Sequence, residues 1–454
     1  MSNQLSRYEK KIAAACASVF GLRMLGLFML MPVMAIYGQT LEGFSPIWIG
    51  IIIGAYGLTQ ALLQIPMGLL SDKWGRRPVM LLGLTLFAIG SLIAANSDHV
   101  IGVAIGRFLQ GTGAIASAVL ALAADLTREE QRPKVMAIIG MCIGLAFAFA
   151  MILGPVVAAK AGIHGIFWLT AVLAFVGIAI VFFTIPDTVN RGAQRDAIPV
   201  PAQLSQMIQH PQLSKLNIGV FFLHLQLTTL FVIIPGLLVT AGMQSESHWM
   251  IYFPALLCSF IVMAPMLMWA IKQHKEAFVF KLSIAIIALA MLSVGLFQSH
   301  TLVLIFSLIS FFAAFNFLEA NLPAWVSRIA PAGQKGSAMG VFSTCQFAGA
   351  FFGGLLGGLL LEHSTPLIAL SVIAALALPW IYLSHKLTLP KRTKPKVISV
   401  EVADHQAAEL LAERLVKIAG VEEAVVFVEE QKAYLKVLPK ALDEEQLQIT
   451  ITPV

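Results

Sequence analysis

The stretch Gly68-Leu-Leu-Ser-Asp-Lys-Trp-Gly-Arg-Arg-Pro78 joins two long apolar runs of this 454-residue chain. Gly68 lets a neighbouring helix approach closely, because it carries no side chain. Gly75 permits a tight turn, and Pro78 suits the first turn of the helix that follows. Asp72 can accept hydrogen bonds from helix N–H groups or from an arginine. The stretch therefore predicts two membrane-crossing helices joined by a short polar turn.

Arg76 and Arg77 place positive charge at the predicted edge of the membrane. Asp125 ends a later apolar run on the same side, so we expect it to pair with Arg76. A basic loop on the inner side of a membrane would explain the arginines, but it would not explain the glycines and Asp72. The predicted cluster combines the glycines of the turn with the charged side chains beside it: Gly68, Asp72, Gly75, Arg76, Arg77 and Asp125.

The composition is that of a protein that crosses a membrane many times. Hydrophobic residues make up 58% of the chain and charged residues 12%, whereas a soluble domain carries about 25% charged residues. Twelve apolar segments have roughly the length that crosses a bilayer. These segments start near Ile12, Trp48, Pro78, Val100, Lys134, His164, Leu216, His248, Phe278, Leu302, Ser337 and Pro366.

The distribution of charge predicts the orientation of these spans. Lysines and arginines concentrate in alternate connections, from Arg7 at the start to Lys386 near the end, and Lys160 is the exception. The positive-inside rule then places both termini in the cytoplasm and makes the number of spans even. The net charge of +6 is therefore a topology signal and does not predict a nucleic-acid partner.

The sequence contains no motif of an enzyme or of a cofactor site. It has no Gly-x-x-x-x-Gly-Lys-Ser/Thr phosphate loop, so ATP is not the expected energy source, and it has no His-Glu-x-x-His pattern. The cysteines lie in apolar runs without Cys-x-x-Cys spacing, at Cys16, Cys142, Cys258 and Cys345. We predict a protein that is not an enzyme, holds no cofactor or metal, and interacts with lipids, protons and a small-molecule substrate.

The spacing of the spans predicts two halves and a tail. The longest connection in the membrane part is polar, contains Pro199, Pro201 and Pro211, and separates six spans from six. Arg107-Phe-Leu-Gln-Gly111 in the fourth span is echoed by Asn316-Phe-Leu-Glu-Ala320 in the tenth, as expected of parallel transporter repeats. The predicted units are a six-helix bundle at 1–185, a cytoplasmic linker at 186–213, a second six-helix bundle at 214–386 and a soluble domain at 397–454.

The tail differs in kind, because residues 401–454 hold 5 Lys and Arg against 11 Asp and Glu. The order βαββα predicts a small ferredoxin-like domain that lacks or shortens its last strand. Its negative charge predicts transient, salt-sensitive docking near the central linker or Lys391–Lys396. We expect a monomeric transporter, with weak dimerisation through the sheet edge of the tail as an alternative. The predicted strands are 397–403, 421–428 and 433–438, and the predicted helices are 404–419 and 442–449.

These motifs resemble those of the major facilitator superfamily. The stretch from Gly68 to Pro78 is similar to the signature loop of that family, motif A, and Arg107-Phe-Leu-Gln-Gly-Thr-Gly113 is similar to its motif B. Gly154-Pro155 resembles motif C, the antiporter signature, although alanines replace the later glycines of that motif. The resemblance covers residues 12–386 and is closest to the twelve-span drug:proton antiporter branch. The tail makes the chain similar to a group of bacterial inner-membrane transporters that carry such a domain.

The resemblance implies an all-α membrane fold in which two six-helix bundles rock around a central cavity, with a small α/β domain in the cytoplasm. It also implies a gating role for the charged cluster, in which Asp72, Arg76 and Asp125 hold the outward-open state together. The implied location is the inner (plasma) membrane of a bacterial cell.

Three charged residues fall well inside spans, where each costs about 2.5–3.5 kcal/mol on insertion scales. Arg23 lies near the middle of the first span and is either a cavity-facing cation that binds substrate or tunes a carboxylate, or an arginine that snorkels or bonds to backbone carbonyls. Arg107 matches an arginine that the resemblance links to proton coupling. Glu319 is a deep carboxylate, and burial favours its protonated form, as a proton carrier requires. We predict that these three residues couple transport to protons; bonding of Glu319 to neighbouring helices is the alternative.

Polar residues inside spans are candidates for the substrate cavity: Tyr56, Gln60, Gln64, His224, Gln226 and Asn316. The first three are four residues apart and share one helical face. Hydrogen bonding between helices is the alternative role for these three, and a structural role is the alternative for His224 and Gln226.

The predicted function is secondary active transport, with efflux of small organic solutes by proton antiport and alternating access. One alternative is a proton-coupled symporter on the same fold. A second alternative is a transporter-like sensor that signals through the tail and moves no protons.

Overall fold

The computed structural model describes residues 4–128, 131–186, 201–385, 387–388, 393–428, 430–438 and 441–451. Most of these residues are helical, and a small sheet lies near the C-terminus. Predictions for Pro199, Lys386, Lys391 and much of the linker fall on residues outside these ranges.

The helices of the membrane part are α1 (Arg7–Phe28), α2 (Met34–Tyr37), α3 (Pro46–Trp74), α4 (Arg76–Ala95), α5 (Val100–Thr112), α6 (Ala116–Asp125), α7 (Arg132–Thr184), α8 (Pro201–Gln209), α9 (Pro211–Thr240), α10 (Trp249–Lys272), α11 (Glu276–Leu296), α12 (Thr301–Ile329), α13 (Lys335–His363), α14 (Pro366–Ala375) and α15 (Ala377–Leu383). The tail contains β1 (Lys394–Ser399), α16 (His405–Val416), β2 (Val421–Phe427), β3 (Lys432–Val437) and α17 (Glu444–Ile451).

The described residues contain twelve spans, as the sequence predicts. Eleven helical segments are long and apolar enough to cross a membrane. One of them, α7, holds two spans, because Gly162 in its middle has φ 62° and ψ −164° and breaks the helix. Segments 132–161 and 163–184 are each long enough to cross a bilayer. The predicted fold class of a twelve-helix membrane protein is confirmed.

The fourth span is interrupted, and this break positions part of the candidate site. Gly113 separates α5 from α6, and a Cβ atom at Gly113 would lie 2.1 Å from the carbonyl oxygen of Gly83 on α4. Only glycine permits such a close approach of two backbones. Arg107 and Gln110 lie on α5 shortly before the break. Discontinuous helices often mark binding sites in transporters.

The linker contains a helix that the sequence analysis does not predict. Pro201 opens α8 and Pro211 opens α9, which is a favourable position for proline. Ser337 Oγ on α13 donates a hydrogen bond to Gln203 Oε1 on α8 at 2.9 Å, and Met207 is buried. The end of the linker therefore packs on the second half of the membrane part. The limits of the units remain predictions.

The first half (α1–α7) and the second half (α9–α15) meet where α3 lies against α13, a contact that we call the outer seam. Glycines allow the two backbones to approach, since a Cβ atom at Gly50 would lie 1.8 Å from the carbonyl oxygen of Gly354. The contact extends to Thr344 Oγ1, which donates to the Ala61 carbonyl at 3.4 Å. By the predicted topology, most of this contact lies in the outer half of the membrane. The two halves are therefore in contact on the outside in this structure.

We expect the substitution Gly354→Ala to favour the outward-open state. The new methyl group would lie 2.4 Å from the Gly50 carbonyl oxygen, so the outer seam must widen, and overpacking costs about 1–3 kcal/mol. Spin labels at Thr40 and His363, which are exposed near the outer ends of the two halves, report the change as a longer distance. Gly236→Ala is the control, because no atom of the described part of the chain lies within 4 Å of an added Cβ atom there. An unchanged distance in Gly354→Ala would contradict the prediction.

The tail has the predicted βαββα order. Its sheet has the strand order β1-β3-β2 with antiparallel pairing, which matches a ferredoxin-like sheet without its last strand. Asp404 caps α16, as its Oδ1 accepts from Ala407 N at 2.8 Å. The first strand lies at Lys394–Ser399 and not at 397–403, because it pairs in register with β3. Leu415 and Leu435 are buried in a small apolar core between helix and sheet.

Among the described residues, the tail docks on the connection between α12 and α13. Much of the central linker and Lys391 lie outside the described residues, so docking at those two places stays a prediction. Glu423 Oε1 accepts from Ala332 N at 2.8 Å, and Lys436 Nζ donates to the Arg328 carbonyl at 3.2 Å. Gly333, with φ 75°, faces Phe427, since a Cβ atom there would lie 2.5 Å from that ring. Hydrogen bonds between charged side chains and backbone groups contribute to this contact, and so do the rings of Phe427 and Tyr434 against Gly333, whereas the prediction considered charge alone.

We expect Phe427→Ala to release the tail more effectively than high salt does. Removal of an aromatic contact at an interface should speed hydrogen exchange of residues 330–334 about tenfold. Exchange mass spectrometry of the full chain measures this change. Leu410→Ala, on an exposed position of α16, is the control. If 0.5 M salt released the tail and Phe427→Ala did not, charge would dominate the docking after all.

Candidate functional site

Arg76 lies at the centre of the charged cluster at the predicted inner edge of the membrane. Its Nε donates to Asp125 Oδ2 at 3.1 Å, and its Nη1 contacts both Asp72 Oδ1 and Ser71 Oγ. Arg76 is buried, and the side chains of Asp72 and Asp125 are 25% and 23% exposed. The structure therefore brings Asp72, Arg76 and Asp125 together, as predicted from the sequence, and adds Ser71.

The turn between α3 and α4 positions this cluster. Gly75 has φ 95°, a conformation that favours glycine, and it ends α3 directly before Arg76. Gly68 lies against α6, where an added Cβ atom would be 3.0 Å from Ser117 Oγ. Arg77 points elsewhere: its Nη2 donates to the Phe182 carbonyl at 2.7 Å. The cluster contacts described here lie within the first half, so its gating role remains a prediction.

A second cluster, which we call the arginine cluster, lies in the middle of the first half. Arg23 is 2% exposed, and its Nη2 donates to Gln60 Oε1 at 2.8 Å. Gln60 Nε2 donates in turn to Gln64 Oε1 at 3.2 Å. The guanidinium of Arg23 lies 5.5 Å from the ring centre of Tyr56, a distance at which cation–π attraction acts.

Arg107 also lies close to Tyr56, with its guanidinium 5.3 Å from the ring centre. Its Nε and Nη2 donate to the carbonyls of Ile52 and Ile53 at 3.0 and 3.4 Å, and its Nη1 donates to Gln110 Oε1 at 2.7 Å. Every nitrogen of this guanidinium therefore has an acceptor. Arg23, Tyr56, Gln60, Gln64 and Arg107 thus form one buried cluster, although the sequence analysis divides them between proton coupling and the cavity.

A third cluster, which we call the proton cluster, lies in the middle of the second half. Gln346 Nε2 donates to Glu319 Oε1 at 3.1 Å and lies 2.9 Å from His224 Nε2. His224 Nδ1 lies 3.2 Å from the Val220 carbonyl, so we assign the ring proton to Nδ1 and the acceptor role to Nε2. Glu319 Oε2 is 3.7 Å from His224 Nε2, and the Glu319 side chain is 39% exposed.

The other two cavity candidates of the second half have different positions. Asn316 lies one turn before Glu319 and donates to Ser259 Oγ on α10 at 2.9 Å. Gln226 is fully buried, and its Nε2 lies 3.5 Å from the Ile373 carbonyl on α14. The structure therefore brings His224 and Glu319 together and places Gln226 between helices, where it does not contact the proton cluster.

The outer seam connects the arginine cluster to the proton cluster. Tyr56 packs edge-on against Phe347 of α13, with ring centres 6.3 Å apart. Phe347 follows Gln346, which holds Glu319 and His224. By the predicted topology both clusters lie near the middle of the membrane. The pair Tyr56–Phe347 therefore joins the arginine cluster to the helix that carries Gln346.

Sequence analysis missed four polar residues that complete these clusters: Ser71, Ser91, Gln110 and Gln346. Ser91 Oγ accepts from Gln110 Nε2 at 2.8 Å, which fixes the amide that Arg107 contacts. Gln346 lies in a span among glycines and phenylalanines, and this isolation of an amide inside a span was the available signal. Among the described residues, no three His, Cys, Asp or Glu residues are grouped as metal ligands would be.

A bundle of membrane-crossing helices in two halves, with polar clusters near the middle of the membrane, is the architecture of a membrane transporter. The chain belongs to the major facilitator superfamily, since the model of that family matches residues 16–353 and 216–426. It is therefore a multi-pass membrane protein of a family of secondary transporters, which are not enzymes.

Relatives and solved structures agree with this assignment. The inner membrane transport protein YajR of Escherichia coli K12 is 40% identical over 449 residues, which are 98% of this chain and 97% of that protein. An uncharacterized transporter of Buchnera aphidicola from Acyrthosiphon pisum is 36% identical over 76% of this chain and 89% of its own. A bacterial homolog of the human lysosomal transporter Spinster, solved inward-facing and occupied, has a TM-score of 0.70 at 13% identity, covering 85% of this chain and 98% of that one. That structure supports the fold alone.

Proposed function

We propose that this chain is a proton-coupled transporter of the bacterial inner membrane that exports small organic solutes by antiport. The observation that carries this proposal is the proton cluster, in which one amide, that of Gln346, contacts both Glu319 and His224. The inner-membrane location follows that of the relative from Escherichia coli.

The proton cluster offers two places for one proton. In the assigned state, His224 is neutral and accepts from Gln346, and Glu319 accepts from the second N–H of the same amide. A proton on His224 Nε2 would displace the amide and leave the imidazolium 3.7 Å from Glu319 Oε2. A proton on Glu319 would remove its charge and weaken the bond from Gln346. Either event changes the contacts of α13.

The position of Gln346 on α13 supports coupling of protons to conformation. This helix also contributes Phe347 and Gly354 to the outer seam. A protonation change that releases Gln346 therefore acts on the helix whose outer part holds the two halves together. A ligand shifts a conformational equilibrium by its differential affinity for the two states, and a proton acts in the same way.

Proton movement in vesicles tests this function. The purified chain is reconstituted with a pH-sensitive dye inside, and a panel of small organic cations, anions and neutral solutes is added in turn. Antiport predicts that a transported solute and protons move in opposite directions, and the symport alternative predicts the same direction. A sensor that signals through its docked tail would move neither, which would contradict the proposal.

A further inference from the structure

Arg23 is a buried cation whose hydrogen bonds are incomplete. Its Nη2 donates to Gln60, but Nε and Nη1 have no acceptor among the residues that the structure describes, although Arg23 is 2% exposed. An unpaired buried donor is costly, and more so when it is charged. A site that lacks acceptors for two charged nitrogens is suited to a ligand that supplies them.

Arg107 shows that the same cluster can satisfy an arginine completely. Two backbone carbonyls and Gln110 accept from its three nitrogens. Among the described residues, neither Arg23 nor Arg107 has a carboxylate at ion-pair distance. The cluster therefore holds two positive charges without a counter-charge, and Arg23 is the member with free donors.

Tyr56 adds a third donor without a partner. Among the described residues, its buried hydroxyl has no hydrogen-bond partner, and its ring centre lies 5.5 and 5.3 Å from the guanidinium groups of Arg23 and Arg107. The ring also touches Phe347 across the outer seam, so the cluster borders the contact that must open in alternating access. Two arginines with a tyrosine hydroxyl beside them are typical of a site for an oxyanion.

We propose that Arg23 and the Tyr56 hydroxyl bind the carboxylate of a small organic anion, which is a substrate class of this transporter. Arg107 is a positioning residue that adds positive charge close to the same ring. The inference rests on the proposed transport function and deepens it.

Thermal unfolding of the purified full-length protein tests the binding. Sodium benzoate and sodium acetate are the charged probes, and benzamide and acetamide are their uncharged counterparts at the same ionic strength. We expect at least one carboxylate to raise the midpoint by about 2–4 °C at saturation, and the amides to leave it unchanged. Lys160→Gln, an exposed basic residue, should keep the response, and Arg23→Gln should lose it.

Two further variants keep the test decisive if Arg23→Gln does not fold. Arg23→Lys retains the charge and should retain a weakened response, and Tyr56→Phe should weaken benzoate binding about tenfold by loss of one hydrogen bond to a charged group. The proposal is overturned if neither carboxylate raises the unfolding midpoint of the wild type. It is also overturned if the midpoint still rises in Arg23→Gln, or rises as much in Tyr56→Phe as in the wild type. The measurement needs no proton gradient, so failure here is distinguishable from failure of proton coupling.

Discussion

Replacing Arg76 by alanine is expected to shift the transporter toward the inward-open state. Arg76 lies buried between Asp72 and Asp125, and its loss leaves two carboxylates without their shared cation. In alternating access the inner ends of the halves close together in the outward-open state, which removes water from this edge. Without Arg76, the carboxylates of Asp72 and Asp125 lose water in the outward-open state without a cation to pair with. This desolvation costs free energy, so the variant destabilises the outward-open state.

The expected size of the shift follows from the exposure of the carboxylates. Breaking a fully buried pair costs about 3–5 kcal/mol. The side chains of Asp72 and Asp125 are 25% and 23% exposed, so water screens part of the interaction. We expect about 1–2 kcal/mol, or roughly a 5–30-fold change in the ratio of the two states. Asp72→Asn should act in the same direction with a smaller effect.

Spin labels at the inner ends of the two halves measure this shift. Trp74 and Gln273 are exposed, and labels there require a background without the four native cysteines. Arg76→Ala should lengthen the distance between the labels. Lys73→Gln, which removes an exposed charge of the same turn, is the matched control and should leave it unchanged. A wild-type distance distribution in Arg76→Ala would show that the cluster does not gate.

The fold could be predicted from the sequence because each span carries its own signal. A run of apolar residues fixes a membrane helix whatever its neighbours are, and the charges of the connections fix its direction. The helix α8 was missed because it is short and amphipathic, and its stability comes from contacts with α13 such as Ser337 with Gln203. The contact of the tail with the connection between α12 and α13 was also not predicted. It depends on how Phe427 packs against Gly333, and these two residues are far apart in the sequence.

The sequence indicated candidate residues one by one, but most of the contacts between them could not be predicted. Asp72, Arg76 and Asp125 were grouped correctly because one turn and one span end place them on the same membrane edge. The pairing of Glu319 with His224 depends on how α9, α12 and α13 pack, and no local pattern encodes that packing. Gln226, two residues from His224, faces a different helix for the same reason.

Replacing Glu319 by glutamine is expected to abolish proton-driven transport while the protein still folds. Glutamine has nearly the same shape, and its side-chain oxygen can still accept from Gln346. It cannot exchange a proton, so it resembles a permanently protonated Glu319. The solute that gives the strongest proton signal in wild-type vesicles should then produce no pH change in the variant, at any pH from 5 to 8.

Solute exchange without a proton gradient distinguishes a loss of proton coupling in Glu319→Gln from a loss of solute binding or of alternating access. In counterflow, labelled and unlabelled solute exchange across the membrane, which requires binding and alternation but no proton. Glu319→Gln should retain counterflow, because a neutral residue at this position leaves the arginine cluster and the outer seam intact. The control Glu246→Gln removes a carboxylate from an exposed loop and should retain both activities. If Glu319→Gln kept wild-type proton coupling, the proton would have to bind elsewhere, and Asp72 and Asp125 would be the next carboxylates to replace.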